Sequence, residues 1–246
     1  MYPSLRLSIF ICLLLALLSH RISAQEATVR LFKERAEKLA ESKQFSEAVQ
    51  LEQLAVSMLE KETPPDQEEI VGSFLAISRY FRREGLLDSS YHYLRVARQR
   101  GEEYLEPDNP MLSDVYNTIG IHFYYLGNCQ EALKYYQLAL ERRIMCFGIL
   151  NPRIADSYNN LAICHDVLGQ HEEAIENYQK ALGIRLLLFD ECSPPIAESY
   201  LNIGVGYHYL SDYDKALEYY EKALAIWEET LPPDHPDFAL IFNNMG

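Results

Sequence analysis

The chain has 246 residues, of which 48% are apolar, 24% charged and 12% aromatic. This composition excludes a disordered tail, a collagen-like fibre and a small disulfide-dense domain, and the length suffices for a sizeable core in one or two domains. The formal net charge of −14 argues against unaided binding to nucleic acid or to an anionic membrane.

The first 24 residues have the pattern of a secretory signal peptide. Arg6 precedes an apolar run from about Leu7 to Leu18, and the small residue Ala24 ends the polar stretch that follows. We expect cleavage after Ala24 and an exported protein, in the periplasm, at the cell surface or secreted. The alternative is an uncleaved membrane anchor, although this run is short for a bilayer, which needs roughly 20 apolar residues.

The sequence after this segment repeats itself with a period of 42 residues. The coinciding positions are aromatic, small or apolar, and they include Tyr116, Tyr158, Tyr200 and Phe242, then Gly120, Ala162 and Gly204, then Tyr136, Tyr178 and Tyr220. We therefore divide residues 25–246 into the repeats 25–66, 67–108, 109–150, 151–192 and 193–234, followed by a partial repeat, 235–246.

Each repeat is predicted to form two helices. An Asn or Ser followed by Pro supplies a side-chain acceptor and a proline at the first helical position. In 151–192 the apolar residues fall on one helical face, Gly169 ends the first helix, and the second begins near His171. Small residues let the helices approach closely, and tyrosines fill the space between hairpins. Since a helix pair cannot bury its apolar face alone, the sequence predicts an all-α fold, an α-solenoid of stacked pairs.

These residues resemble the tetratricopeptide repeat family. The family pattern is met in 193–234 by Tyr200, Ile203, Gly204, Tyr207, Ala216, Tyr220 and Ala223. The 42-residue period is similar to the longer variant found in kinesin light chains. The resemblance implies a right-handed superhelix of antiparallel helix pairs, in which the first helix of each pair lines a concave groove that holds a peptide or a partner segment.

The predicted peptide-binding residues form a stripe on the side of the first helices that would face this groove. Asparagine amides both donate to and accept from a peptide backbone, exposed tyrosines supply contact area, and arginines pair with carboxylates. The set comprises Asn117, Tyr124, Tyr125, Asn159, Asn160, Asp166, Asn202, His208 and Tyr209, together with Arg79, Arg82 and Arg83 of the second repeat. The alternative is a solvated helix face without a ligand.

The sequence carries no sign of enzymatic chemistry. It has no glycine-rich phosphate loop, no cofactor signature and no CxxC or CxxxH spacing, so we expect no cofactor, no metal site and no catalytic residue. The four cysteines after the signal are expected to be free and mostly buried, because the repeat pattern places none opposite another. They are Cys129, Cys146, Cys164 and Cys192.

The sequence therefore favours an exported interaction scaffold. The alternative is the recruiting or sensory part of a larger signalling protein or caspase-like protease, because the sixth repeat stops within its first helix at Gly246. A third possibility is that the open C-terminal end forms a homo-oligomer, since a second copy would cover the apolar residues there.

Overall fold

The computed structural model describes residues 25–245, so the predicted signal peptide lies outside the described residues. The chain divides into unit 1, which ends at Leu105, and unit 2, which begins at Glu106. Unit 1 contains the helices α1 (25–41), α2 (Phe45–Leu59), α3 (Gln67–Glu84) and α4 (Leu87–Tyr104). Unit 2 contains α5 (Pro110–Tyr125), α6 (Cys129–Phe147), α7 (Pro152–Val167), α8 (His171–Leu188), α9 (Pro194–Tyr209), α10 (Tyr213–Thr230) and α11 (Pro236–Met245).

The predicted all-α fold of stacked helix pairs is confirmed. Residues 25–245 contain helices and turns and no strand. Within unit 2, α5 packs on α6, α7 on α8 and α9 on α10, and the second helix of each pair also contacts the first helix of the next. In unit 1, α3 packs on α4 and α2 contacts α3. No helix in 25–245 combines the length and apolar character needed to cross a bilayer.

The predicted Asn-Pro helix starts are confirmed, and the Ser-Pro start differs. The side chains of Asn109 and Asn151 accept hydrogen bonds from backbone N–H groups two residues ahead, at 2.8 and 2.9 Å, and a proline follows each. Ser193 precedes α9 with extended backbone, but its hydroxyl makes no capping bond. The proline at the first helical position is the feature that this start shares with the other two.

The turn inside each pair needs one residue with positive φ. At five positions spaced by 42 residues, φ lies between 61° and 86°. These residues are Lys43, Gly85, Gly127, Gly169 and Ser211. Glycine reaches this conformation without steric cost, so the first and fifth turns are the strained ones.

In two helix pairs of unit 2, a tyrosine ring packs directly against a glycine of the partner helix. A Cβ atom on Gly120 would lie 2.5 Å from the ring of Tyr136, and one on Gly204 would lie 2.6 Å from that of Tyr220. Both rings are almost fully buried. The expectation that small residues permit close helix approach, with tyrosines filling the space, is confirmed at these two positions.

Two cysteines lie together in the core of unit 2. Cys129 of α6 and Cys164 of α7 belong to one buried cluster, and their thiols are hydrogen-bonding neighbours. The expectation that no cysteine faces another is therefore wrong, because α6 packs against the first helix of the next pair. Burial, reinforced by Cys129, raises the pKa of Cys164 to about 12. All four cysteines of the described chain are free, and Cys192 is exposed.

Replacing Gly204 by alanine is expected to destabilise unit 2 by about 1–2 kcal/mol, because the new methyl group would displace the Tyr220 ring. The matched control is Gly183→Ala in α8, where a Cβ would meet nothing within 4 Å. That variant is expected to gain about 0.5–1 kcal/mol from helix propensity. Urea unfolding followed by circular dichroism measures both. Equal effects of the two substitutions would contradict the close-packing explanation.

Candidate functional site

The predicted stripe of unit 2 lies on α5, α7 and α9, the first helices of three successive pairs. Its side chains differ in what they contact. Some bond to the neighbouring pair, some to the second helix of their own pair, and three tyrosines stay exposed. The stripe is therefore part structural and part open to solvent.

The asparagines of the stripe bond to each other across successive pairs. Asn160 Nδ2 donates to Asn117 Oδ1 at 3.2 Å, and Asn202 Nδ2 donates to Asn159 Oδ1 at 3.1 Å. Each amide keeps further donors or acceptors, and three of the four side chains are half-buried whereas Asn159 is 9% exposed. The row ends at Leu201, which replaces the asparagine acceptor in the fifth repeat.

Beside this row, a buried arginine forms hydrogen bonds between successive helix pairs at each of two junctions in unit 2. Arg143 of α6 donates to Ser157 Oγ at 2.7 Å and to the Arg153 carbonyl at 3.1 Å, both in α7. One repeat later, Arg185 of α8 donates to Ser199 Oγ at 2.8 Å and to the Pro195 carbonyl. Each arginine is 5% exposed. The stacking of pairs therefore depends on polar contacts as well as on apolar burial.

Carboxylates on the first helices also accept hydrogen bonds from these two arginines. Asp114 accepts from Arg143 at 3.5 Å and, through both oxygens, from Arg153 at 2.8 and 2.9 Å. Asp156 accepts from Arg185 at 3.2 Å. Burial lowers the pKa of Arg143, and the charge of Asp114 opposes that shift. Sequence reasoning missed both arginines, although their 42-residue spacing in the second helices was a usable signal.

Asp166 joins two helices through a polar network. Its Oδ2 accepts from the hydroxyl of Tyr178 at 3.0 Å, and its Oδ1 lies 3.1 Å from His171 Nδ1. The His171 ring stacks on Tyr209 with 4.8 Å between ring centres. Burial, and then the Asp166 charge, raises the pKa of Tyr178. The predicted site residue Asp166 is thus held within the protein, and His171 and Tyr178 are partners that the sequence did not reveal.

Exposed aromatic rings mark the ends of α5 and α9. Tyr125 and Tyr209 are 62% and 61% exposed, and Tyr124 is 36% exposed. Tyr124 and Tyr125 meet edge to face, and His208 makes the same contact with Tyr209. All four residues belong to the predicted set, and the tyrosine rings leave large apolar areas in contact with water.

A cleft of about 470 Å³ opens along α9 in unit 2. It is lined by Asn202 of the predicted set, by Glu198 and Leu201 of the same helix, by Trp227 of α10 and by Leu240 of α11. Leu240 is 49% exposed. Trp227 stands where the two preceding repeats carry the buried arginines, so the cleft is more apolar at this point.

The predicted arginines of unit 1 lie on α3. Arg79 lines a second cleft, of about 610 Å³, in which acidic side chains outnumber basic ones. The Arg83 guanidinium lies over the ring of Phe45, 5.1 Å from its centre. Arg82 is in the last turn of α3, where a positive charge interacts favourably with the helix dipole. The described residues contain no group of three or more His, Cys, Asp or Glu side chains arranged to hold a metal ion.

Replacing Arg185 by methionine is expected to destabilise unit 2 by about 1–3 kcal/mol, because Ser199 and the Pro195 carbonyl lose a buried donor. The control is Gln179→Met, at an exposed position of the same helix, which should stay within about 0.5 kcal/mol of the parent protein. Thermal and urea unfolding provide the comparison. If Arg185→Met is as stable as the control variant, the hydrogen bonds of this arginine do not stabilise the contact between the two helix pairs.

Comparison with known proteins gives consistent results. One sequence profile of the tetratricopeptide repeat family matches residues 73–145 and 122–186, and a second matches 196–237. A search of curated proteins found no significant match.

Several solved structures have the same fold. BtubC (BKLC) from P. vanneervenii is similar over 89% of this chain and 94% of its own, with a TM-score of 0.75 and 19% identity. A putative kinesin light chain of TPR-like repeats from Podosopora anserina covers 82% of this chain and 96% of its own, with a TM-score of 0.70 and 20% identity.

A third similar structure is that of a STAND signal transduction ATPase with a tetratricopeptide repeat sensor, from Pyrococcus horikoshii. It matches 89% of this chain over 32% of its own length, with a TM-score of 0.74 and 20% identity. At these identities the likeness concerns the fold. Because the two family profiles together match more than half of the sequence, this chain belongs to the tetratricopeptide repeat family.

Proposed function

We propose that this protein is an exported, non-enzymatic scaffold that binds a partner protein by holding an extended segment of it against the first helices. The observation that supports the proposal is the cleft along α9, because it lies on a first helix and is lined by Asn202 of the predicted set. Tetratricopeptide repeats are protein interaction modules, so family membership supports the same conclusion.

The chemistry of this face suits a peptide. Asn160 and Asn202 each donate one side-chain N–H group to a neighbouring asparagine, and their side-chain carbonyl oxygens can still accept a hydrogen bond. Tyr125 and Tyr209 offer rigid rings that gain apolar contact at a small loss of conformational entropy. The exposed carboxylates Asp156 and Glu198 favour a partner segment that is neutral or positively charged.

A substitution at Leu240 tests the proposal without disturbing the contacts between pairs. Peptides are first selected on the purified chain 25–246 from a random library displayed on phage, and the strongest binder is synthesised. Leu240→Arg is expected to weaken the binding of this peptide at least tenfold, because the new side chain occupies the cleft. Isothermal titration calorimetry measures the dissociation constants.

The matched control is Leu217→Arg, at a 42% exposed position of α10 outside the cleft. This variant should bind the peptide within twofold of the parent protein, and thermal unfolding should show that both variants fold. Equal affinity of Leu240→Arg and the parent protein would overturn the assignment of the cleft. Alanine at Asn159 or Asn160 is a poorer test, because it also removes a hydrogen bond between pairs.

Export is proposed from the first 24 residues alone. When the whole gene is expressed with its native start, the exported protein should begin at Gln25, with residues 1–24 removed. Intact mass and N-terminal sequencing of protein from the culture medium and the periplasm measure this. Recovery of the chain only from the cytoplasm, with Met1 or Tyr2 at its start, would contradict the proposal.

A second candidate is a recruiting or sensory part of a larger signalling protein. The likeness to the STAND ATPase favours it, since that match spans only 32% of the ATPase and its name assigns the repeats to a sensor. Reading the gene beyond the codon for Gly246 distinguishes the two. An open frame that encodes an effector domain would support this candidate, and a stop codon would remove it.

A further inference from the structure

Two of the four cysteines of the described chain meet in the core of unit 2. Cys129 is the first residue of α6, and Cys164 lies near the end of α7. They are 2% and 0% exposed and belong to the same buried cluster. Their thiols lie within hydrogen-bonding distance of each other. The proposed binding of a partner does not use this pair, so its role requires a separate explanation.

The repeat pattern independently places these two residues on facing surfaces. One repeat later, a Cβ atom on Gly206 of α9 would lie 2.6 Å from Cγ1 of Ile175 in α8, so these two positions are in direct contact. The equivalent positions 42 residues earlier are Cys164 and Leu133. Cys129 precedes Leu133 by one helical turn and therefore lies on the same face of α6. The packing of a second helix on the next first helix thus brings the two thiols together.

The other two cysteines have different surroundings. The Cys146 thiol donates to the Asp108 backbone carbonyl at 2.8 Å. Cys192 is exposed in the turn between α8 and α9, where a hydrogen bond to Glu229 raises the pKa of its thiol. Among the four cysteines, the described part of the chain therefore offers Cys129 and Cys164 as the pair in contact.

We propose that Cys129 and Cys164 form a disulfide bond in the exported protein, which covalently joins the third helix pair to the fourth. This inference rests on the export proposed above, because disulfides persist in oxidising compartments. The two sulfurs must move from hydrogen-bonding distance to the S–S bond length of about 2.05 Å. Cys129 is the first residue of its helix, so this movement requires an adjustment at the start of α6 and not within it.

The bond forms by exchange with a donor disulfide, that of oxidised glutathione or of an oxidised dithiol enzyme. The thiolate of one cysteine attacks the donor and releases one donor thiol. The thiolate of the other cysteine then attacks the mixed disulfide and releases the second donor thiol. Two electrons and two protons pass from the cysteine pair to the donor, which is reduced to two thiols.

Burial of the pair determines when it can react. Burial, together with the neighbouring Cys129, raises the pKa of Cys164 to about 12, so little thiolate is present in the folded protein. Exchange is therefore expected before α7 packs on α6. Once both residues are buried, the same inaccessibility protects the disulfide from reductants.

The crosslink would restrict a junction that also carries part of the proposed binding stripe. Asn160 of the fourth pair donates to Asn117 of the third, at 3.2 Å. A covalent bond between the same two pairs limits the freedom of the unfolded chain and so stabilises the folded junction. Oxidation would therefore hold these two asparagines in register.

Refolding in a glutathione redox buffer tests the proposal. The reduced, urea-unfolded chain 25–246 is diluted into oxidised and reduced glutathione at pH 8, free thiols are alkylated in denaturant, and linked peptides are identified by mass spectrometry. Cys129 and Cys164 should form the main linked pair, whereas Cys146 and Cys192 should be alkylated. Alkylation of all four cysteines, or another pairing as the main product, would overturn the proposal.

A variant without Cys129 measures the stabilisation. Refolding the parent protein in dithiothreitol instead of the redox buffer is expected to lower its melting temperature by about 5–15 °C, because the unfolded chain regains freedom. In Cys129→Ala the two conditions should give the same melting temperature, even where the variant itself is less stable. The matched control is Cys146→Ala, which should keep the full shift. An equal response of Cys129→Ala and the parent protein would contradict the assignment.

The disulfide and the proposed export can fail separately. The refolding experiment needs no cell, so formation of the bond there by a chain that stays in the cytoplasm would reject export and leave the assignment of the pair standing. An exported chain that begins at Gln25 but carries free thiols at Cys129 and Cys164 would reject the disulfide alone.

Discussion

The close contact between a tyrosine ring of the second helix and a small residue of the first is the constraint on which the helix pairs of unit 2 depend. Gly120 against Tyr136 and Gly204 against Tyr220 leave no space for even one methyl group. The rings fill the pair from within, and the apolar faces that remain are covered only when the next pair stacks on them. The proposed binding residues lie on the first helices, where several of them also bond to the neighbouring pair or to the second helix of their own pair.

The sequence predicted the helices, their approximate limits and the stacking of pairs, because apolar periodicity and Asn-Pro starts are local signals. It did not predict the partners of polar side chains. Arg185 bonds to Ser199 in the next pair, and Asn202 bonds to Asn159, 43 residues away. Periodicity places a residue on a face, but it does not say how neighbouring helices are rotated against each other. The contact between Cys129 and Cys164 was missed for the same reason.

Exceptions within repeated columns are the most informative residues in this chain. Glu52 occupies a position that is Leu or Tyr in the next four repeats, Trp227 follows two buried arginines, and Leu201 ends the row of paired asparagines. Each exception removes a contact that stabilises the other repeats, and two clefts lie beside these residues. The repeated contacts stabilise the helix pairs, and each of the two clefts includes a residue that departs from the repeat pattern.

The short sequence separation of the polar contacts between pairs has a consequence for how unit 2 assembles. The hydrogen bonds that join one pair to the next connect residues 10, 14, 39 or 43 positions apart. Contacts this local are formed early and at a small loss of chain entropy, so folding can start at any pair and spread to its neighbours. When such a segment is pulled from its ends, it should lengthen in steps of one helix pair, with each step reporting the strength of a single junction.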